Sequence, residues 1–139
     1  MTVITKTIQV KTKGEDDIID ITNQTSKAIE SSEIKNGIVT IFVSGSTAAL
    51  TTIEYEPGLL SDFPKMLERV APKNIGYEHE QRWHDANGHS HVRASLLGPS
   101  LSIPFSNRNL MLGTWQQIVL LELDTRNRER NLVLQILGD

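Results

Sequence analysis

The chain has 139 residues with Lys+Arg 14 against Asp+Glu 17, a net charge of −3. It is long enough for one domain with a substantial core, and too weakly charged for general binding to a phosphate backbone, so no nucleic-acid partner is expected. It contains no cysteine, which excludes disulfides, thiolate metal sites and cysteine nucleophiles; any metal must be held by histidine nitrogen and carboxylate oxygen.

The first segment, TVITKTIQVKTKG, alternates, with Ile4, Ile8 and Val10 on one face, and predicts a half-buried strand rather than a signal peptide. DDIIDIT predicts a second short strand. NQTSKAIESSEIKNG predicts a helix, with Thr22 as N-cap and Asn36-Gly37 as its stop. IVTIFV reads as a buried strand, SGST as a turn and AALTTIEYE as another strand. PGLLSDFPKMLERVAP carries Leu59, Leu60, Phe63, Met66, Leu67 and Val70 at helical spacing. Pro64 is expected in the first turn of that helix or at a kink. No apolar run approaches the ~18 residues of a membrane span, so no membrane partner and a cytoplasmic location are expected.

All four histidines fall between His79 and His91, in YEHEQRWHDANGHSHVRASLLG. The segment reads as a loop leading into a short helix, SHVRASLLG, stopped by Gly98. The spacing matches neither HExxH nor a zinc finger. If the helix begins by Asn87, then Asn87 and His91 share a face and His89 points elsewhere. If it begins after Gly88, His89 can fold toward His91. A divalent-metal or acid–base site and a solvated polar loop both remain open. Asp85 is either a base or partner to a ligand, or a turn residue beside Asn87-Gly88.

Other candidates are weaker. Glu54, at a strand end, is a possible base or ligand. Ser44, Ser46 and Thr47 beside Gly45 offer a Gly-Ser loop of the kind that cradles anions, but without a Walker pattern. Arg93 lies one turn from the histidines and is either a group to neutralise a phosphate or an exposed helix arginine. Trp115 is either packing or a wall for a planar ring. Arg126, Arg128 and Arg130 alternate in a turn and read first as a solvated rim, and second as a phosphate or subunit contact. Beyond the histidines, SLSIPF, LMLGTWQQIVLLELD and NLVLQILG read as β-structure. Both parities are apolar in the last two, so cover on both faces is expected. The whole is one α+β domain over 1–139.

HVRASLLGPSLSIPF, LMLGTWQQIVLLELD, RERNLVLQILGD and STAALTTIEYE together resemble the YjbQ-like family, also called the secondary thiamine-phosphate synthase family. The resemblance runs from about Asp20 to the C-terminus. It implies a mainly antiparallel α+β sandwich with about three helices, assembled as a homotrimer, with a metal site at or near the subunit interface. It also implies a weak thiamine-phosphate synthase activity, joining hydroxymethylpyrimidine diphosphate to a thiazole phosphate. The family's Y-x-H histidine falls on His79 and its A-H histidine on His91. An NGHxH variant matches Asn87, Gly88, His89 and His91, and the family glutamate falls on Glu54. Many members carry HTTA or HTSA where this chain has Gly45-Ser46-Thr47-Ala48, so one histidine is missing; His84 or His89 is the candidate replacement.

Together these readings name His79, His89 and His91 as ligands of a divalent metal, zinc first. Glu54, His84 and Asp85 are the expected catalytic groups. Thr47, Asn87, Arg93 and Trp115 are the expected contacts to a small phosphorylated molecule. A metal-dependent hydrolase and a non-catalytic trimeric metal- or ligand-binding protein are the competing readings.

Overall fold

The computed structural model describes residues 1–139. Eight strands and four helices follow one another as β1 (Thr2–Lys11), β2 (Asp17–Asp20), α1 (Thr22–Ser32), β3 (Gly37–Val43), β4 (Ala48–Ile53), α2 (Pro57–Val70), α3 (Glu78–Trp83), α4 (Gly88–Leu97), β5 (Ser100–Ser106), β6 (Asn109–Leu110), β7 (Gln117–Glu122) and β8 (Glu129–Gly138). Two antiparallel sheets form, in the orders β1-β8-β3-β5-β6 and β2-β7-β4.

The larger core lies between the sheets. Val39, Ile41, Val43, Leu132, Leu134 and Ile136 meet Ala48, Leu50, Ile118 and Leu120 there. The opposite parity of β4 and β7 supplies Ala49, Val119 and Leu121, which pack with Leu67 of α2 and Ala94 of α4. This explains the continuous apolar run in β7. One face meets a sheet and the other meets helices, so Ile118 through Leu121 are all buried. Full burial of each such side chain is worth roughly 1.5–3 kcal/mol, which makes β7 the rigid central strand behind the site. β8 differs: Leu132, Leu134 and Ile136 are buried, while Val133 and Leu137 on its other face are only partly covered.

Several local expectations change. Thr22 opens α1 but does not cap it; its hydroxyl accepts the Ile118 N–H at 2.9 Å instead. α1 ends at Ser32, with Glu33 in the left-handed region, before Asn36-Gly37 is reached. Pro57 occupies the first turn of α2, where its missing N–H costs nothing, and Pro64 lies inside the helix. Glu56 caps α2, accepting from the Gly58 N–H at 2.8 Å and from the Leu59 N–H. The histidine segment is not all loop, because Glu78–Trp83 forms the short helix α3. LMLGTWQQIVLLELD is broken by a turn at Gly113–Gln116, where the Gly113 N–H donates to Gln116 Oε1 at 3.0 Å.

Candidate functional site

Helix α4 decides how the histidines are used. It starts at Gly88, with Asn87 at the N-cap position. Gly88 is required by close approach: a Cβ there would sit 2.6 Å from Tyr77 Cβ and 2.7 Å from Glu80 Oε1. Its N–H donates to that Glu80 oxygen, which ties the start of α4 to α3. Asn87 and His91 are four apart and share a face. His89 lies two residues before His91, about 200° around the helix, and faces away.

On the first face the imidazoles of His79 and His91 meet in a tilted contact, with centroids 4.4 Å apart and planes inclined by 49°. Asn87 links His79 to the sheet. Its Nδ2 donates to Asp124 Oδ1 at 3.2 Å, which turns its Oδ1 toward His79 Nε2, 3.0 Å away. A carbonyl oxygen only accepts, so His79 carries its proton on Nε2 and leaves Nδ1 with a free lone pair. Asp85 Oδ1 lies 3.2 Å from the same Nε2. Desolvation, and then the neighbouring His79, hold His91 below the usual histidine range. The neutral form of the His91 ring is therefore favoured.

Asp124 anchors this face. It is 1 % exposed and accepts from the Thr125 N–H at 2.7 Å, Thr47 Oγ1 at 3.1 Å and Arg128 Nε at 3.1 Å, as well as from Asn87. Desolvation pushes its pKa up, but these donors, led by Arg128 and the Thr125 N–H, outweigh it and hold the carboxyl well below the usual range. Thr47 is the next link. Its hydroxyl donates to Asp124 and accepts from Arg130 Nη2 at 2.8 Å. Arg130 Nε in turn donates to the fully buried Glu122 at 2.9 Å. A continuous hydrogen-bonded chain thus runs from His79 through Asn87, Asp124 and Thr47 to Arg130.

On the second face His89 is buried and its Nε2 contacts Glu15 Oε1. Glu15 also pairs with Lys73 at 3.2 Å. Arg93, one turn beyond His89, is 1 % exposed. Its Nε donates to Ala71 O at 3.0 Å and its Nη2 to Glu68 at 2.8 Å, with Asp16 at 3.6 Å from Nη1.

The expected set is therefore divided. Thr47, Asn87, His79, His91 and Asp85 come together. His89 does not join them, because the helix rotates it onto Glu15, and no three His, Asp or Glu side chains converge as a ready metal cage. Arg93 is not a free phosphate contact; Glu68 and Ala71 occupy it. His84 is exposed in the left-handed region at the end of α3, and its ring makes no hydrogen bond. Glu54 and Trp115 lie at the other end of the smaller sheet. β4 pairs Ala48 with Glu122 and Ile53 with Gln117, so Glu54 is roughly 20 Å along an extended strand from Thr47. Trp115 is 72 % exposed at that same far end. Neither joins the histidines within one chain. Sequence reasoning misses Asp124, Glu122 and Glu15, and reads Arg130 as a solvated rim before a phosphate or subunit contact. The signal for Glu122, Asp124 and Arg130 was present as charges inside the apolar run LLELDTRNRERNLVL, where a charge must be paired if the strand is buried.

These features define a two-sheet α+β protein with a polar, histidine-lined site at one end of its central strand. Residues 6–139 match the family described as UPF0047 protein YjbQ-like, and the chain belongs to that family. It is 43% identical over 129 residues to a UPF0047 protein of Methanothermobacter thermautotrophicus, covering 92% of this chain and 89% of the relative. It is 32% identical to the UPF0047 protein YugU of Bacillus subtilis over 135 residues, 96% of this chain and 98% of YugU. Among solved structures, a YbjQ-like protein of Sulfolobus solfataricus superposes with a TM-score of 0.92 at 37% identity, covering 99% of both chains. A protein of Aeropyrum pernix gives 0.89 at 30% identity, covering 98% of this chain and 99% of that one. No helix is long and apolar enough to cross a membrane.

Proposed function

We propose that this chain is a cytoplasmic, metal-assisted enzyme acting on a small phosphorylated substrate, with His79 and His91 as its protein ligands for a divalent ion, zinc first. The observation that carries this reading is the pair of imidazoles in tilted contact, one with its tautomer fixed by Asn87 and the other held below the usual histidine range. Metal ligation needs neutral imidazole, and ligating histidines commonly donate their second N–H to a carbonyl or carboxylate. His79 Nε2 has both such partners, in Asn87 and Asp85. The donor set therefore fits an ion held by two histidines with positions left open, and not the three-histidine set. An ion bound there would act as a Lewis acid on a phosphoryl oxygen. Asn87, itself held by Asp124, orients the His79 imidazole, and Asp85 is the nearest group able to hold or move a proton on His79. Synthesis of thiamine phosphate with release of pyrophosphate is the reaction to test first. Assembly as a homotrimer is part of the same proposal.

The test is zinc titration of metal-stripped protein followed by elemental analysis and an assay of pyrophosphate release. Native protein and the His89→Ala variant should bind zinc alike, while His79→Ala and His91→Ala should lose it together with turnover. Equal zinc content in His91→Ala and native protein would overturn the assignment.

A further inference from the structure

The loop between β3 and β4 carries hydrogen-bond donors that the protein itself does not use. Ser44 N–H donates to Asn131 O at 3.1 Å, but the N–H groups of Gly45, Ser46 and Thr47 donate to no acceptor in the chain. Thr47 is only 4 % exposed. Gly45 and Ser46 are exposed, so their N–H groups are open to an incoming ligand, while a buried N–H such as that of Thr47 is nearly always paired, with protein, water or a ligand. Successive unpaired N–H groups are the donors that anion-binding loops use.

Arg130 adds a charge to the same spot. It is 6 % exposed. Its Nε and Nη2 are committed to Glu122 and Thr47, but Nη1 donates to no protein group. Nη1 points at the loop, since a Cβ built on Gly45 would lie 2.8 Å from it. Gly45 has φ +130, a conformation that favours glycine. Glycine thus serves both the backbone and the open space in front of the guanidinium. A pocket of about 150 Å³ opens beside the loop, lined by Gly45, Ser46, Ala48, Ala94, Ser95 and Pro99.

We propose that the Gly45–Thr47 N–H groups and Arg130 Nη1 form an oxyanion site that takes the phosphate group of a small phosphorylated molecule, whose body would extend along the neighbouring pocket. The proposal rests on the preceding functional reading for the identity of the substrate, but not for the existence of the site. Thr47 joins the two, since its hydroxyl bridges Arg130 to Asp124 and so to Asn87 and His79. A phosphate anchored at the loop would lie at the other end of the hydrogen-bonded chain that positions the His79 imidazole. The site also assigns a role to Arg130 that Arg93, committed to Glu68, does not fill.

The experiment is an amide-resolved NMR titration of the full, metal-free chain with inorganic phosphate, against chloride at matched ionic strength. The Gly45, Ser46 and Thr47 amide signals should move saturably with phosphate and not with chloride. Arg130→Lys removes Nη1 and should weaken binding roughly tenfold or more. Should that variant fail to fold, Ser46→Asp on the exposed loop places a competing carboxylate at the site and should abolish the phosphate response with the fold intact. Absence of a saturable shift, an equal shift with chloride, or unchanged affinity in a folded Arg130→Lys or Ser46→Asp protein would overturn the site. His91→Ala should keep the phosphate response. If His91→Ala also keeps zinc, the metal assignment falls while the oxyanion site stands.

Discussion

Asp124 and Asp16 serve opposite faces of helix α4, and their carboxyl groups are shifted in opposite directions. Asp124 faces Asn87 and the His79–His91 pair and is held ionised by donors from four residues, in spite of its burial. Asp16 faces Arg93 and Lys73 at 3.6 and 3.8 Å, too far for hydrogen bonds to form. Its Oδ1 is buried without a hydrogen-bond partner. Burial therefore dominates and raises its pKa, against the pull of Lys73 and Arg93. Charge nearby is not what separates the two; both have cations. Directed donors at hydrogen-bond distance make the difference. The same division sorts the histidines. His89, on the Asp16 side, is locked to Glu15, whereas His79 and His91, on the Asp124 side, keep ring nitrogens without a protein partner.

The largest expected effect comes from removing Asp124. Asp124→Ala leaves Arg128, Asn87 and Thr47 with unanswered donors around a buried site and should cost roughly 3–5 kcal/mol, read by urea unfolding. It should also disorder the Asn87–His79 link, so zinc binding should weaken in the folded fraction. The pH dependence has a definite sign. Between its depressed folded value and the ordinary carboxyl value of about 4, Asp124 binds fewer protons in the folded chain than in the unfolded one. Stability rises with pH through that window and is lost as pH falls through it. Asp124→Asn should flatten this acid limb. An unchanged acid limb would mean that the network does not hold the charge.

Next in size is the contrast between His89 and His91. His89→Ala leaves Glu15 without its buried partner and should cost roughly 1–3 kcal/mol while zinc binding is kept. His91→Ala removes a half-buried ring and should change stability by less than about 1 kcal/mol while zinc binding is lost. The same loss of zinc in both variants would erase the distinction between the two faces.

The sequence made this division only half legible. Alternation in β1, the apolar run of β7 and the periodic stripe of α2 follow from burial, so the α+β class could be read directly, while the mainly antiparallel sandwich was implied by the family resemblance. The crowding of histidines between residues 79 and 91 marked the segment in which His79 and His91 meet, and the four-residue spacing of Asn87 and His91 marked the helix face they share. Two things could not be read. The helix start is set by Gly88 fitting against Tyr77 and Glu80, a tertiary contact, and that start decides which way His89 turns. The partners Glu15 and Asp124 are 74 and 37 residues distant in sequence from His89 and Asn87, and no local pattern announces such a pairing. Arg93 and Arg130 are both buried and paired, against the expectation for each, for the same reason. Each was judged by its neighbours in sequence, while its accessible donors are set by residues from other elements.

The smallest effect gives the sharpest test of why the two aspartates differ. Asp16 has φ 63, in the left-handed region that asparagine tolerates well, so Asp16→Asn keeps the backbone and changes little but the charge. Because the folded chain raises the Asp16 pKa, it binds more protons than the unfolded chain between the ordinary and the raised value. Native stability therefore falls as pH rises through that window. The variant lacks this decline. It should equal native protein at low pH, where Asp16 is protonated, and exceed it at pH 7 by between zero and about 1 kcal/mol. Thermal unfolding across the pH range reads the crossover. A variant that is instead less stable than native at pH 7 would show that Arg93 and Lys73, even at 3.6 and 3.8 Å, depend on the Asp16 charge. The distinction between directed donors and merely nearby cations would then fail for this face of the helix.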